Sequence, residues 1–259
     1  MLLGCIVSDA AEVEHAAGLP VDYLELKGDI LCVDAASLRA LGTRLQATGL
    51  PSTAMTSPLP RRFKCRVVGD DADHSRALSL FRDMCDRAGP LGVRTVVLGS
   101  GQARSVPPGF PPDRALGQFR DFVTDAAAVC GARGMVLALE PLTGIETNLV
   151  NSCSEARPLV DRLAHTGLRM TVDCYHIVSE GLSVADEVKA AAGAIGHAHT
   201  SSIPRGSMEF REEVQAEFVS RLHAAGYTGG LTIEDEFTDF GREAPVAVDV
   251  FRQILAAQA

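Results

Sequence analysis

No run in this 259-residue chain is long and apolar enough to span a membrane, and no basic stretch precedes its apolar N-terminus. MLLGCIVSDAAEVEH therefore reads as a first strand rather than a signal peptide, and no membrane partner is expected. Basic residues do not predominate either. Lys and Arg number 24 against 33 Asp and Glu, the formal net charge is −9, and a nucleic-acid binder with a basic face is excluded on that balance. No CxxC pair occurs. The seven cysteines (5, 32, 65, 85, 130, 153 and 174) are scattered, so they read as reduced core residues of a cytoplasmic protein and not as a disulfide framework. Tryptophan is absent altogether. There is also no linker: the one long Pro/Gly-rich stretch, GSGQARSVPPGFPP over 99–112, runs straight into a helix-periodic segment and reads as a strand-to-helix loop.

What remains is a chain that is 46% hydrophobic, enough for one large core. Strand-like and helix-like stretches alternate along it. Strands are expected at Leu2–Val7, Val21–Leu26, Pro51–Thr56, Arg94–Leu98, Met135–Glu140, Leu168–Asp173, Ala194–His199 and Gly230–Glu234. Between them, apolar residues recur at helical spacing: Leu38, Leu41 and Leu45; Leu78, Phe81 and Cys85; Leu116, Phe119, Val123 and Cys130; Phe210, Val214, Phe218 and Leu222; and finally Val250, Phe251, Ile254 and Leu255. Caps are expected from Asp9 with Glu12, Ser152 with Glu155, and Ser183 with Asp186. Eight such units without a break in composition give an α/β protein, a single (β/α)8 TIM barrel over residues 1–259.

The chemistry collects at the ends of the last four strands. MVLALE stops at Glu140 before a proline, LRMTVD at Asp173, AIGHAH at His199 and GLTIE at Glu234, with gaps of 33, 26 and 35 residues. A carboxylate where a buried strand ends needs a metal, a cation or a proton to compensate it. Two glutamates, an aspartate and a histidine form a mostly oxygen donor set suited to Mn²⁺ first, with Mg²⁺, Co²⁺ or Zn²⁺ as alternatives. His197, two residues before His199, should face the same way one layer deeper and pack there. Glu25, near the end of the second strand, is a candidate for an acid behind the ligands. Arg61, Arg62 and Arg104 lie on expected mouth loops and are candidates for binding a phosphate. Cys174 is read as small packing beside Asp173.

EPLTGIETNLVNS, DCYHIVSEG, HAHTSSIPR and GYTGGLTIE resemble successive signatures of the xylose-isomerase-like sugar isomerase/epimerase superfamily, which includes ketose 3-epimerases, hydroxypyruvate isomerase and inosose dehydratase. The resemblance is strong over 135–236 and weaker before it, where GSGQAR is the best-matching loop. It implies Glu140, Asp173, His199 and Glu234 as metal ligands and Glu146, His176 and Arg205 as substrate contacts. It also implies a homodimer or homotetramer. The loop SSIPRGSM departs from the family pattern, and Phe63, Phe110, Tyr175 or Phe237 would have to replace the missing tryptophan against a sugar.

Proton transfer next to a sugar carbonyl suits these residue types, with Glu140 and Glu234 as the acid/base pair on opposite faces of the substrate. The expected function is a divalent-metal-dependent sugar isomerase or epimerase acting through an enediolate on a small sugar or polyol. The alternatives are a lyase on a keto-sugar or keto-cyclitol using the same metal site, and a non-catalytic sugar-binding relative. DNA repair chemistry of the endonuclease IV type is excluded by the acidic surface and the few histidines, seven in all.

Overall fold

Each short apolar run bounded by a turn becomes a strand, and each amphipathic run becomes a helix laid back over it. The computed structural model of the chain describes residues 1–258. The strands are β1 (Leu2–Val7), β2 (Tyr23–Lys27), β3 (Ser52–Thr56), β4 (Thr95–Leu98), β5 (Val136–Leu139), β6 (Arg169–Asp173), β7 (Ile195–Thr200) and β8 (Gly230–Ile233). They lie parallel in sequence order and close on themselves, with β8 paired to β1, giving the expected (β/α)8 barrel. The helices are α1 (Ala10–Ala16), α2 (Ala35–Thr48), α3 (His74–Ala88), α4 (Gly101–Arg104), α5 (Pro112–Gly131), α6 (Cys153–Arg162), α7 (Cys174–Ser179), α8 (Val184–Ala191), α9 (Glu212–Ala224) and α10 (Phe240–Ala257). None is long and apolar enough to cross a membrane among the described residues.

The expected caps form. Asp9 accepts from the backbone of Ala11 and Glu12, Ser152 from Glu155 at 3.0 Å, and Ser183 from Asp186 at 3.3 Å. Each satisfies donors that the first helical turn leaves without partners. Between barrel and helices lies the main apolar layer, where Phe81, Phe119, Phe122, Phe218 and Phe251 are fully enclosed. Burying each such ring is worth roughly 2–3 kcal/mol. All seven cysteines are free, and only Cys32 is not fully buried.

Three details differ from the sequence reading. Leu116 is 47% exposed, and α5 instead turns Ala115, Phe119, Phe122, Val123 and Ala126 to the barrel. Phe210 is buried but precedes α9. The 99–112 loop contains the short helix α4.

Register fixes the inner layers. In β7, His199 pairs with Asp173 of β6 and Thr232 of β8, while His197 pairs with Thr171. Side chains two apart on a strand share a face, so the two histidines occupy successive layers of the barrel interior.

Candidate metal centre and its pocket

Glu140 and Glu234 each follow the last residue of a strand, β5 and β8, while Asp173 and His199 lie within the C-terminal ends of β6 and β7. All four therefore converge at the C-terminal mouth, where (β/α)8 barrels carry their chemistry. One ligand atom from each lies within 4.8 Å of the others. Room for the Glu140 carboxylate comes from Gly99, where a Cβ would stand 2.6 Å from Glu140 Oε2. Asp173 divides its oxygens: Oδ1 accepts from the Tyr175 backbone at 2.7 Å, capping α7, and Oδ2 accepts from Arg205 Nη2 at 2.8 Å.

His199 stands at the centre. Its Nδ1 lies 2.8 Å from Glu140 Oε1 and 3.1 Å from Glu234 Oε2, and its Nε2 lies 3.1 Å from Glu25 Oε1. A carboxylate behind the imidazole fixes the ring and its tautomer, with the Nε2 proton directed at Glu25 and Nδ1 at the cluster. Glu25 belongs to a second, deeper network: its Oε2 accepts from Thr232 Oγ1 at 2.6 Å and meets His197 Nε2 at 2.7 Å, and Tyr23 Oη meets Thr232 Oγ1 at 2.7 Å. His197 thus packs one layer below His199.

Burial pushes the carboxyl of Glu140 up to about 7, and the neighbouring charges of Glu234 and Asp173 add to that against the pull of His199. Burial acts on Glu234 in the same sense, yet Arg205 and His199 overcome it and hold the group down at about 2. Two glutamates in one cluster are pushed apart by their surroundings. Burial likewise disfavours a charged His199, but Glu25, Glu234 and Glu140 raise it well above the usual histidine range.

Glu146, His176 and Arg205 border the same cluster. His176 is buried, and its Nδ1 accepts the Thr143 backbone N–H at 3.2 Å. The remaining ring proton sits on Nε2, 3.5 Å from Asp173 Oδ2 and 3.9 Å from Glu146 Oε1. Burial lowers this histidine to about 4, leaving the ring neutral near pH 7. The Arg205 guanidinium lies 4.4 Å from the centre of the Tyr175 ring and bridges Asp173 and Glu234, while its buried Nε has no partner among the described residues.

Sequence reasoning missed Asp235. Its carboxylate accepts from the backbone N–H and Oγ of Ser202 and from Gly206 N, at 2.7–2.9 Å. It pins the segment that carries Arg205. The only local signal was a second acid directly after Glu234. The candidate arginines separate: Arg104 is 1% exposed, donates to the Glu140 carbonyl at 2.8 Å and lies against Phe119, so it is no mouth group. Arg62 is tied to Asp29 at 3.0 Å. Arg61 alone of the three lines the pocket. Cys174 is buried, and burial pushes its thiol well up, as expected for a packing residue. None of the four aromatic candidates lines the pocket; Tyr175 lies under Arg205 instead.

The donor set fits a divalent cation. Three carboxyl groups and an imidazole meet in a buried space where burial disfavours the ionised form of Glu140, and a dication would compensate the charge of the ionised cluster. A mostly oxygen set with one imidazole suits Mn²⁺, Mg²⁺ or Co²⁺, and also zinc.

The family model described as xylose isomerase-like TIM barrel matches residues 13–253. A D-psicose 3-epimerase from Enterocloster bolteae is 25% identical over 229 residues, covering 80% of this chain and 72% of that protein. A crystal structure of D-psicose 3-epimerase in the presence of D-fructose superposes with a TM-score of 0.81 at 18% identity, over 98% of this chain and 99% of the other. The IOLI protein crystallised with a bound zinc atom superposes at 0.75 and 16% identity, over 100% and 99% of the two chains. At these identities the two structural matches speak to the fold.

Proposed function

This chain belongs to the xylose isomerase-like TIM-barrel family, and from that membership and the site geometry we propose a divalent-metal-dependent sugar isomerase or epimerase. The observation that carries this reading is the pair Glu140 and Glu234. The two buried carboxyls flank His199 Nδ1 at 2.8 and 3.1 Å and share one cluster with Asp173, which places two proton-transferring groups around a single ion site. The similarity to a D-psicose 3-epimerase supports the same substrate class, a small ketose.

Glu140, Asp173, His199 and Glu234 would hold the ion. When bound, it supplies Lewis-acid polarisation of substrate oxygens and lowers the proton affinity of both glutamates. The chain's own groups do the rest. One of Glu140 and Glu234 takes the proton from the carbon next to the carbonyl, and the other returns a proton from the opposite face, inverting that centre. Return to the neighbouring carbon instead gives an aldose–ketose shift. The Nε2–H of neutral His176 and the pocket-lining guanidinium of Arg205 donate to sugar oxygens, and Glu146 accepts from a hydroxyl. Glu25 keeps His199 turned with Nδ1 towards the cluster. Manganese is the first choice of ion.

The test is proton NMR in D₂O with a panel of ketoses, using protein stripped with chelator and reloaded with Mn²⁺. The expected result is metal-dependent exchange at one carbon beside the carbonyl, with the product identifying epimer or isomer. Exchange that persists in Glu140→Gln and Glu234→Gln would overturn the two-carboxylate reading.

A further inference from the structure

The pocket above the cluster has a volume of about 440 Å³, and its two sides differ in character. One side carries Glu146, Arg205 and Glu234, the groups assigned above to the reacting end of the substrate. The other is built from the ends of β2, β3 and β4, and presents Lys27, Ser57, Arg61, Ser100 and Gln102. Only Leu59 and Pro60 supply apolar side chains to it, and no aromatic ring lines it. A sugar chain ending in carbon and hydroxyl groups would gain little stacking or apolar contact there.

Neither the Lys27 nor the Arg61 side chain has an ion-pair or hydrogen-bond partner among the described residues, and both line the pocket. Nearby arginines are engaged. Arg62 is held by Asp29 and the Cys32 carbonyl, Arg66 by Asp71 and the Ser105 carbonyl, and Arg76 by the Phe63 carbonyl. Of the four acids that line the pocket, Asp29 is engaged by Arg62 and Glu234 by Arg205 and His199, Glu146 lies 3.9 Å from His176, and Glu236 sits across the mouth after β8. Two uncommitted cations facing the pocket of a chain with net charge −9 mark a place for an anion.

The backbone is shaped around the same place. Ser57 and Ser100, at the ends of β3 and β4, both sit at positive φ, 52° and 44°, a conformation that costs a non-glycine residue about 1 kcal/mol or more. Gly28, directly after Lys27, lies so close to the Ser57 carbonyl that any Cβ would collide with it. The turn carrying Ser57 is thereby brought against the end of β2, and Lys27 and Arg61 share one wall.

We propose that the Lys27–Arg61 side of the pocket is an anion subsite. The substrate of this site would then be a ketose, or related small ketone, whose end remote from the carbonyl carries a phosphate ester or a carboxylate. The inference rests on the proposed function for which end of the pocket reacts. Guanidinium and ammonium donors would bind the anionic oxygens through charge-assisted hydrogen bonds, the strong kind in a partly enclosed site.

Calorimetric titration of the Mn²⁺-loaded protein with D-fructose, D-fructose 6-phosphate and D-fructuronate tests this. The expected result is that at least one of the two anionic ligands binds about tenfold or more tightly than fructose. That advantage shrinks as salt is raised and disappears in Lys27→Met/Arg61→Gln. Preference between phosphate and carboxylate names the group. Inorganic phosphate should compete with the tighter ligand. Arg61→Gln alone, at an exposed position, should remove part of the preference without affecting folding. Equal affinity for all three ligands, or a preference that survives the double variant, overturns the subsite. The two failures are separable: exchange on neutral ketoses without an anion preference removes the subsite and keeps the reaction, whereas tight, variant-sensitive binding of an anionic ketose that shows no exchange removes the reaction and keeps the subsite.

Discussion

Two layers of the barrel interior use the same kinds of residue to opposite effect. In the lower layer Glu25 meets His197, His199 and Thr232, and Tyr23 closes the network, so each of these five groups has a partner inside the protein. Burial would raise Glu25, but His199 and His197 hold it well below the usual carboxylate range. In the upper layer Glu140, Asp173 and Glu234 crowd one imidazole and one guanidinium, and Glu140 is driven up to about 7. The lower layer is complete without a ligand and acts as support. The upper layer carries more negative charge than its own cations offset, which is what makes it receptive to an ion and a substrate.

The contrast can be broken from either side. Glu140→Gln should cut turnover by about 10²–10⁴-fold, the usual size of a lost acid or base, while leaving the melting temperature unchanged or raised because it relieves like-charge crowding. A variant that loses stability instead would place Glu140 with the support. Glu25→Ala should do the reverse first. It strips two buried histidines of their acceptor and should cost about 3–5 kcal/mol in denaturant unfolding. Glu25→Gln should retain the fold but weaken Mn²⁺ binding about 10–100-fold by calorimetry, since it loosens the hold on His199. Added Mn²⁺ at 100 times its Kd should stabilise the wild type by about 2.7 kcal/mol, and chelation should abolish that gain; the gain should be absent in a variant lacking two ligands, Glu140→Gln/Asp173→Asn.

The smallest effect lies outside both layers and calibrates them. Asp22 accepts from Leu3 N at 2.7 Å and pairs with Arg252 at 3.0 Å. Burial alone would raise it, but these partners hold it below the ordinary value. A depressed carboxylate contributes stability that is present above its unfolded pKa, about 3.9, and is lost as pH falls through the lower folded value. Asp22→Asn should therefore be less stable than wild type by about 1 kcal/mol at pH 7, with the difference closing in thermal melts below about pH 4.

The fold was legible because eight short apolar runs and the intervening helical periodicity are local signals. Their ends fell within a residue or two of the strands that form. The four clustered residues were legible because each ends a run. The errors share a cause. Leu116 looked like a core position, but alanines at 115 and 126 let α5 sit close to the barrel, and periodicity does not reveal which side packs when small residues do the packing. Arg104 looked like a surface charge because its partners, the Glu140 carbonyl and the Phe119 ring, lie 36 and 15 residues away. Asp235 escaped because the donors it collects are about 30 residues upstream, and nothing near it in sequence announces them.

That aspartate has a consequence for anyone who wishes to redesign the pocket. Glu234 and Asp235 are adjacent in the chain, and the second fastens the turn from Ser202 to Gly206 on which Arg205 is mounted. The turn and its anchor form one exchangeable cassette. A graft that imports a new 202–206 sequence without the two backbone N–H groups aimed at Asp235 would set Arg205 adrift from its post beside Glu234. A graft that carries both pieces can alter what the guanidinium reaches while leaving the four clustered residues where they are.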